Sequence, residues 1–293
     1  MIEYAGAEVI APLCEAASAC WGERSVLHPG LVWWSASPHH GNVDDWRAAV
    51  WSDGAGTPVA AAWLEGRSTA TVVAAHPHAQ RPQLLVDAAA WARRHGDRSL
   101  STDVLESDRE VVAAWSRARL READRPEFMV RQTHTLRGLP DPAPPPGHVV
   151  RPVGSSSVEL DARVKLHVAA WTTSQHRSGF DEVSYAMLRR SPYYRPQLDV
   201  VVAGPDGRLL ATALIWWDPG SGTGLVEPVG VRPDARGKGL ARVAVIGALW
   251  ALRAEGAQQA VVWPRGDAGY PGPRRLYEAC GFVTQGRTVT MRR

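Results

Sequence analysis

A stretch in the second half of the chain, from Glu227 to Ala241, constrains the fold most strongly. It starts with a β-rich segment, passes through a turn with two glycines and two cations, and leads into apolar residues at helical spacing. A helix that begins behind glycines presents free backbone N–H groups and the positive end of its dipole. We therefore predict a strand, a tight turn and a helix N-terminus that binds an anion, for which phosphate is the usual choice.

The turn contains the side chains that this anion site requires. Gly237 and Gly239 leave the backbone open to close approach, and Arg236 and Lys238 add charge for more than one phosphate group. No Gly-Lys-Ser/Thr follows and the spacing G-x-G-x-x-G is absent, so neither a magnesium–nucleotide loop nor a dinucleotide fingerprint is indicated. A basic helix start without a ligand is the alternative interpretation.

Two segments carry a resemblance to a known family. The spacing Arg-x-x-Gly-x-Ala, formed by Arg236, Gly239 and Ala241, resembles the pyrophosphate loop of the GNAT superfamily, the acetyl-CoA-dependent N-acetyltransferases. Downstream, Leu276–Phe282 is similar to the family's Leu-Tyr-x-x-x-Gly-Phe segment, in which a helix ends at a glycine and a strand follows. The resemblance covers about residues 148–293.

The first half repeats the order of the second, which predicts two copies of one fold. Pro77 aligns with Pro233 without gaps across the turn, and a proline-rich segment at residues 139–147 separates the copies. Such a segment is typical of a stiff linker, with a proline-rich binding peptide as the alternative. We expect an α/β protein with two tandem GNAT-like domains, residues 1–138 and 148–293, each a mixed, mostly antiparallel sheet flanked by helices.

The two copies differ at the predicted anion site. The first has Arg81-Pro82-Gln83 where the second has Gly237-Lys238-Gly239. Side chains there obstruct the approach of phosphate to the backbone, and proline has no N–H to donate. We expect that the first copy does not bind acetyl-CoA in this way and instead shapes the substrate cleft.

Three expectations concern local structure outside this turn. We predict a helix over residues 5–22, a solvated loop from Trp33 to His40, and a closing hairpin from residue 283 to the C-terminus. The pair His39-His40 has no evident third ligand, and adjacent side chains diverge, so we predict no metal site.

The strand before the turn carries the predicted chemistry. Pro228 and Gly230 are poor residues for the interior of a regular strand, so we expect a bulge or a splay there. The resemblance implies that backbone groups around Val229 and Val231 then pair with the pantetheine arm of CoA, and that one N–H faces the thioester oxygen. The predicted CoA-binding residues are Val229, Gly230, Val231, Arg236, Gly237, Lys238, Gly239, Leu240, Ala241 and Tyr270.

Two catalytic roles follow from the residues and the resemblance. Glu227 is the candidate general base, because it is the only carboxylate on that strand before the turn and burial can raise its pKa. A structural carboxylate is the alternative, and Asp218 is a weaker candidate. Tyr277 is the candidate acid for the CoA thiolate, or else a core tyrosine. The family often has an asparagine where this chain has Tyr270, which departs from the usual CoA contact.

The acceptor is expected to enter over residues 161–190 and the end of the strand at Trp216. Side chains that could line it, unless they pack in the core, are Trp171, His176, Phe180, Tyr193, Tyr194 and Trp216. Of these, Trp171, Phe180 and Trp216 are our candidate substrate residues.

The distribution of charge along the chain indicates which class of ligand the protein binds. Residues 1–146 carry a formal charge of −4 and residues 147–293 carry +7, which together give the net +3. The positive half suits a cofactor with several phosphates. Nucleic acid is the rival, but no basic helix with interleaved aromatics supports it. No apolar run is long enough to cross a membrane, and no secretory signal is seen.

Cysteine and arginine usage indicate the cellular context. The three cysteines have no metal spacing and read as free thiols in a reducing cytoplasm. Arginine greatly outnumbers lysine, which we interpret as the codon bias of a GC-rich, actinobacterial genome.

The sequence therefore predicts an N-acetyltransferase that uses acetyl-CoA and no metal, and acts on a small-molecule amine as a monomer or homodimer. A non-catalytic acyl-CoA-binding or regulatory protein is the alternative from another class. A GNAT enzyme that transfers another acyl group, or that acts on a protein N-terminus, is a third.

Overall fold

Strands from both halves of the chain join into one sheet in the computed structural model, which describes residues 1–175 and 177–293. His176, one of the predicted acceptor-side residues, lies outside the described residues. In the first half the strands are β1 Ile2–Ala5, β2 Arg47–Ser52, β3 Pro58–Glu65, β4 Thr69–Ala74, β5 Ser101–Leu105, β6 Arg121–Glu122 and β7 Val130–His134. The helices of this half are α1 Ile10–Ala19, α2 Pro29–Ser35, α3 Arg81–His95 and α4 Arg109–Arg117.

The second half follows the same order of elements. Its strands are β8 Val149–Pro152, β9 Asp199–Ala203, β10 Leu209–Asp218, β11 Thr223–Val231, β12 Gln259–Val262 and β13 Val283–Arg292. Its helices are α5 Ser157–Trp171, α6 Glu182–Arg189, α7 Leu240–Ala254 and α8 Gly272–Ala279.

The two halves meet through exchanged strands. The sheet order is β1-β2-β3-β4-β5-β13-β7-β12-β11-β10-β9-β8, with β6 on the side of β13. The last strand, β13, therefore pairs with β7 through its first residues and with β5 through its last residues. In turn β7, from the first half, lies between β13 and β12. Each half completes the sheet of the other, and the division of the chain at residues 139–147 stays a prediction.

Helices cover both faces of each part of the sheet. In the second half α7 packs on one face through Leu240, Ala244 and Leu249, while α5 and α6 contribute Val164, Tyr185 and Leu188 to the core on the other face. In the first half, α3 and α4 pack on one face and α1 and α2 on the other. The mixed α/β architecture predicted from the sequence is confirmed.

The prediction of a closing hairpin was wrong. Residues 283–292 form a single ten-residue strand, and Gly286 lies in a bulge where the register against β7 shifts. A glycine inside a β-rich run marks a bulge as readily as a turn. The long strand forms because it has two partners, β5 and β7, that lie far away in sequence.

Two predictions about the N-terminal segment also need correction. The helix predicted over residues 5–22 is shorter, since α1 spans Ile10–Ala19 and a 3-10 turn at Gly6–Val9 precedes it. Residues 2–5 pair with β2 as an edge strand, and Gly6 has a φ of 60°. Trp33 and Trp34 lie in a short helix instead of a loop, because the His28 side chain accepts a hydrogen bond from the Gly30 N–H and Pro29 opens the helix.

None of the helices in the two described ranges combines the length and the apolar character needed to cross a membrane.

Candidate active site

The sheet opens between β11 and β12. These strands pair in parallel only as far as Leu225 and Val261 and diverge beyond them. Along its other edge β11 has a bulge, since Glu227 and Pro228 both fall opposite the single residue Leu214 of β10. The irregularity expected from Pro228 is therefore present on the β10 side. On the side that faces the opening, β11 has no ladder partner on β12 beyond Leu225.

The turn between β11 and α7 has the shape of an anion site. Gly237 and Gly239 have φ of 77° and 75°, a conformation that L side chains rarely adopt. A Cβ atom at either glycine would meet no other atom within 4 Å, so the backbone of the turn faces open space. No side chain caps the α7 N-terminus at Gly239, and its first turn contains no acidic residue. The free N–H groups of this helix start fit a bound diphosphate.

The two cations of the turn are exposed. The Arg236 guanidinium donates hydrogen bonds to the carbonyl of Ala170 at 2.9 Å and to that of Val231 at 3.4 Å, so it links the turn to the end of α5. Lys238 has no ion-pair partner within the described chain, and its ammonium is available to an anion.

The corresponding turn of the first half is built differently. Helix α3 begins at Arg81, the residue aligned with Gly237, so the residues that form an open turn in the second half are helical here. The Arg81 side chain points inward, is only 5% exposed, and forms ion pairs with Asp108 and Glu110. A cavity of about 370 Å³ lies between the ends of β4 and β5 beside this ion pair. The first half thus keeps a cleft but lacks the open helix start.

Glu227 lies at the bulge with its carboxylate in an apolar setting. Its backbone carbonyl accepts a hydrogen bond from the Trp216 indole at 2.7 Å, which fixes the strand at this residue. Burial raises the pKa of the Glu227 carboxyl to about 7. No ion pair neutralises it among the residues that the structure describes. A carboxylate with a pKa near neutrality can accept and release a proton under physiological conditions.

Tyr277 comes close to Glu227 although fifty residues separate them in sequence. It lies on α8, is 6% exposed and packs edge-on against Phe282 with ring centroids 5.6 Å apart. Burial raises the pKa of the phenol well above its usual value, and the charge of Glu227 raises it further. The structure therefore brings the two predicted catalytic groups within electrostatic reach and keeps the phenol protonated.

Trp171 packs directly against the central strand. A Cβ atom on Gly230 would lie 2.3 Å from the Trp171 ring, so only glycine fits beneath the indole. The ring also stacks on His167 at 4.1 Å, and His167 lies 4.0 Å from Phe180. Of the three predicted substrate residues, Phe180 is 4% exposed and Trp216 is fully buried. Their placement favours the core-packing alternative for these two side chains.

The prediction of a solvated loop for the histidine pair holds only for the exposure of His40, because His39 is half-buried and both lie in a short 3-10 turn. The rings of His39 and His40 are 4.0 Å apart, and His39 contacts Phe180 of the second half with ring centroids at 4.9 Å. Burial lowers the pKa of His39 to about 4. The sequence could not show this contact because its partners come from the other half. Within the described ranges there is no group of three or more histidine, cysteine or acidic side chains that could hold a metal ion.

The remaining candidates lie further from the opening. Tyr270 is 56% exposed in the loop before α8, near the guanidinium of Arg265. Asp218 lies at the hairpin end of β10, where it accepts a hydrogen bond from Ser18 of α1 at 3.1 Å. Its position suits a contact between the halves better than proton transfer at the bulge. Tyr194 directs its hydroxyl towards Asp199 at 3.4 Å.

The contact between Gly230 and Trp171 gives a first prediction. Gly230→Ala should destabilise the fold by roughly 1–3 kcal/mol, because the added methyl must displace the indole. Unfolding by urea measures the change. In a Trp171→Leu background the same substitution should cost much less, since the obstructing ring is absent. Equal costs in the two backgrounds would contradict the proposed contact.

A glycine-rich helix start beside an open strand, with a carboxylate and a phenol at the opening, can bind a phosphorylated ligand and transfer protons. Residues 164–282 match the acetyltransferase (GNAT) family. The matched segment lies within the second half of the chain, and the whole chain is similar in fold to a tandem GNAT protein.

Individual relatives agree with this assignment. The chain is 28% identical over 226 residues to a mycothiol acetyltransferase of Mycolicibacterium paratuberculosis, a match that covers 71% of this chain and 69% of the relative. It is 29% identical over 141 residues to the Beutenbergia cavernae protein of the same name, covering 47% and 46%.

Solved structures support the fold. A tandem GNAT protein from the clavulanic acid biosynthesis pathway superposes with a TM-score of 0.61 at 18% identity and covers 100% of this chain and 97% of its own. A GCN5-related N-acetyltransferase from Sphaerobacter thermophilus gives a TM-score of 0.60 at 18% identity, with 100% and 95% covered.

Proposed function

We propose that the protein transfers an acetyl group from acetyl-CoA to a primary amine of a small molecule. The observation that carries this proposal is the opening between β11 and β12. It lies beside the uncapped start of α7 and contains Glu227 with a pKa raised to about 7. A structural carboxylate does not need this setting, whereas a base that deprotonates an ammonium group does.

The residues present fit the cosubstrate. Arg236 and Lys238, with the backbone N–H groups from Gly237 to Ala241, would hold its diphosphate, and Leu240 anchors the turn to the core. The freed backbone between Val229 and Val231 would pair with the amides of the pantetheine arm. Acetyl-CoA supplies the activated acetyl group as a thioester.

The side chains of the site would manage two protons. Glu227 takes a proton from the acceptor ammonium, directly or through water, so that the amine becomes a nucleophile. The neutral amine then attacks the thioester carbonyl, the C–S bond breaks, and Tyr277 gives its proton to the thiolate that leaves. The second proton, which the new amide nitrogen loses, restores the phenol. A backbone N–H of the bulge would stabilise the charge on the carbonyl oxygen. Trp216 acts as a positioning residue here, because its indole holds the Glu227 carbonyl.

Substitutions that change the charge at the start of α7 test whether this turn binds the diphosphate of CoA. Gly239→Glu should weaken CoA binding at least 100-fold, because it introduces a side chain and a negative charge where the diphosphate would lie. Arg236→Ala should weaken it roughly 10-fold. Isothermal titration calorimetry measures both and should give one CoA site per chain, since the first half lacks the open turn.

Gly256→Glu is the matched control. Gly256 follows the opposite end of α7 and has a similar φ of 86°, with no atom within 4 Å of a Cβ added there. Backbone strain should therefore be comparable, but CoA affinity should not change. If Gly239→Glu binds CoA as well as the wild type does, the anchor lies elsewhere.

Release of the CoA thiol across a panel of amines tests the activity itself. Amino-sugars, amino-acid derivatives and aminoglycoside antibiotics belong in the panel, along with a peptide that has a free N-terminus. The mycothiol acetyltransferase relatives support an acceptor among small molecules. Tight CoA binding with no turnover on any amine would instead indicate a binding or regulatory protein.

The three cysteines are free and buried, as suits an enzyme of the reducing cytoplasm.

A further inference from the structure

A buried arginine lies at the junction of the two halves without a counter-ion. Arg131, on β7, is 3% exposed, and no carboxylate lies within ion-pair distance of it in the described parts of the chain. Burial lowers the pKa of its guanidinium to about 10, and Glu23 offsets this only partly, so the group is charged at neutral pH. A buried charge without a partner is costly, and its presence requires an explanation.

Two indoles enclose this cation and leave hydrogen-bond donors without acceptors. The guanidinium carbon lies 5.9 Å from the centre of the Trp21 ring and 6.0 Å from that of Trp263. The Nε of Arg131 and the indole N–H of Trp21 are both enclosed, and neither has a partner among the described residues. Cation–π contacts explain part of the arrangement, but they satisfy neither N–H group. A buried guanidinium with an unpaired N–H of its own, beside an unpaired indole N–H, matches an anionic acceptor of hydrogen bonds.

The strand registers place this arginine near the proposed catalytic base. Gln132 of β7 pairs with Val262 of β12, so the next residues in register are Arg131 and Trp263. The last parallel pair of β11 and β12 puts Glu227 level with Trp263, two residues further on. Glu227, Trp263 and Arg131 are therefore successive positions across three neighbouring strands, with the splay of β11 from β12 between the first two. Two strand spacings separate the outer two by about 10 Å or slightly more at the splay.

We propose that Arg131 and Trp21 bind an anionic group of the acceptor, while its amine reaches Glu227 across Trp263. This inference rests on the proposed function and specifies its substrate class: an amine that also carries a carboxylate or another anion about 10 Å away or less. Trp21 comes from the first half, so the tandem partner would contribute directly to acceptor recognition.

Matched acceptors test the charge requirement. In the wild type, 6-aminohexanoate and 5-aminopentylphosphonate should be acetylated with a lower KM than neutral hexylamine. Comparison of the first two distinguishes a carboxylate from a phosphonate. Arg131→Met should raise KM for both anionic amines roughly 10- to 100-fold, because a charge-assisted hydrogen bond is lost. It should leave KM for hexylamine and the Kd of CoA within about twofold.

Arg253→Met is the matched control. Arg253 also lies over an indole, with its guanidinium carbon 3.9 Å from the centre of the Trp250 ring, but it is on the exposed side of α7. This variant should not change KM for any of the three amines. Equal losses with anionic and neutral acceptors in Arg131→Met would make Arg131 structural and overturn the proposal, as would a wild type without preference for the anionic amines.

A binding measurement separates this inference from the activity. 6-Aminohexanoate should raise the melting temperature of the wild type without CoA and have no such effect on Arg131→Met. If 6-aminohexanoate raises the melting temperature of the wild type only, while no amine is acetylated, the proposed function fails and the anion site stands. If no shift occurs in the wild type, the anion site fails. Should Arg131→Met not fold, Trp21→Phe keeps the ring and removes one donor, and it should lower the preference for anionic amines several-fold.

Discussion

Replacing Tyr277 by phenylalanine should lower kcat for acetyl transfer by about 100- to 1000-fold, the range expected when a general acid is lost. CoA affinity should stay within about twofold, because the ring still fills the space against Phe282 and only the hydroxyl is removed. The hydroxyl makes no hydrogen bond to the described residues, so the stability of the fold should change little. Thiol release and calorimetry measure the two effects separately.

Tyr4→Phe is the control for loss of a phenolic hydroxyl, since Tyr4 is a half-buried tyrosine on the edge strand β1. It should leave kcat unchanged. If Tyr277→Phe reduced kcat and CoA affinity by equal factors, the tyrosine would serve packing, which is the alternative that the sequence left open. An unchanged kcat would remove Tyr277 from the mechanism.

The open turn before α7 could be predicted because its determinants are local, while its binding of phosphate stays a prediction. Two glycines that adopt positive φ, two cations and an apolar helical repeat lie within a few residues of one another. The same holds for the bulge, since Pro228 and Gly230 disfavour regular pairing wherever the strand lies. The loss of this turn in the first half was also visible, because side chains and a proline replace the glycines. Helix α3 then takes up the residues that form the turn in the second half.

The exchange of strands could not be predicted in this way. Nothing in residues 283–292 indicates that β5 and β7 are its partners, because strand pairing depends on the whole sheet. The hairpin prediction failed for this reason.

Three separate segments supply Trp21, Arg131 and Trp263 to one site. Each residue alone reads as an ordinary core or surface side chain. Only the fold shows that the Arg131 guanidinium and the Trp21 indole N–H lie together with no acceptor among the described residues.

The second large effect is expected for substitution of Glu227, and it should change how kcat/KM depends on pH. The pKa of this carboxyl is raised by burial to about 7 from its ordinary value of 4.5. In the wild type kcat/KM should rise as pH increases through about 7, because the base must be ionised. Glu227→Gln should lower kcat/KM by about 100- to 1000-fold and remove this limb of the profile. Acceptors of different amine pKa distinguish this limb from deprotonation of the substrate.

The free energy of unfolding of the wild type should fall over the pH range in which its activity rises. A carboxyl whose folded pKa lies above its unfolded value stabilises the fold fully below the unfolded pKa, and this contribution is lost as pH rises through the folded pKa. Between about pH 4.5 and 7 the wild type should therefore lose up to about 3 kcal/mol relative to Glu227→Gln. Urea unfolding at pH 5 and at pH 8 measures the difference, with Glu255→Gln, at an exposed glutamate after α7, as the control.

These two measurements together separate a base from a structural carboxylate. If Glu227 is a base with a pKa raised by burial, Glu227→Gln should be less active and more stable than the wild type at pH 8. A carboxylate needed for the fold predicts that activity and stability fall together. If Glu227→Gln kept full activity and the limb near pH 7, proton abstraction would have to begin at another group and the proposed mechanism would be wrong.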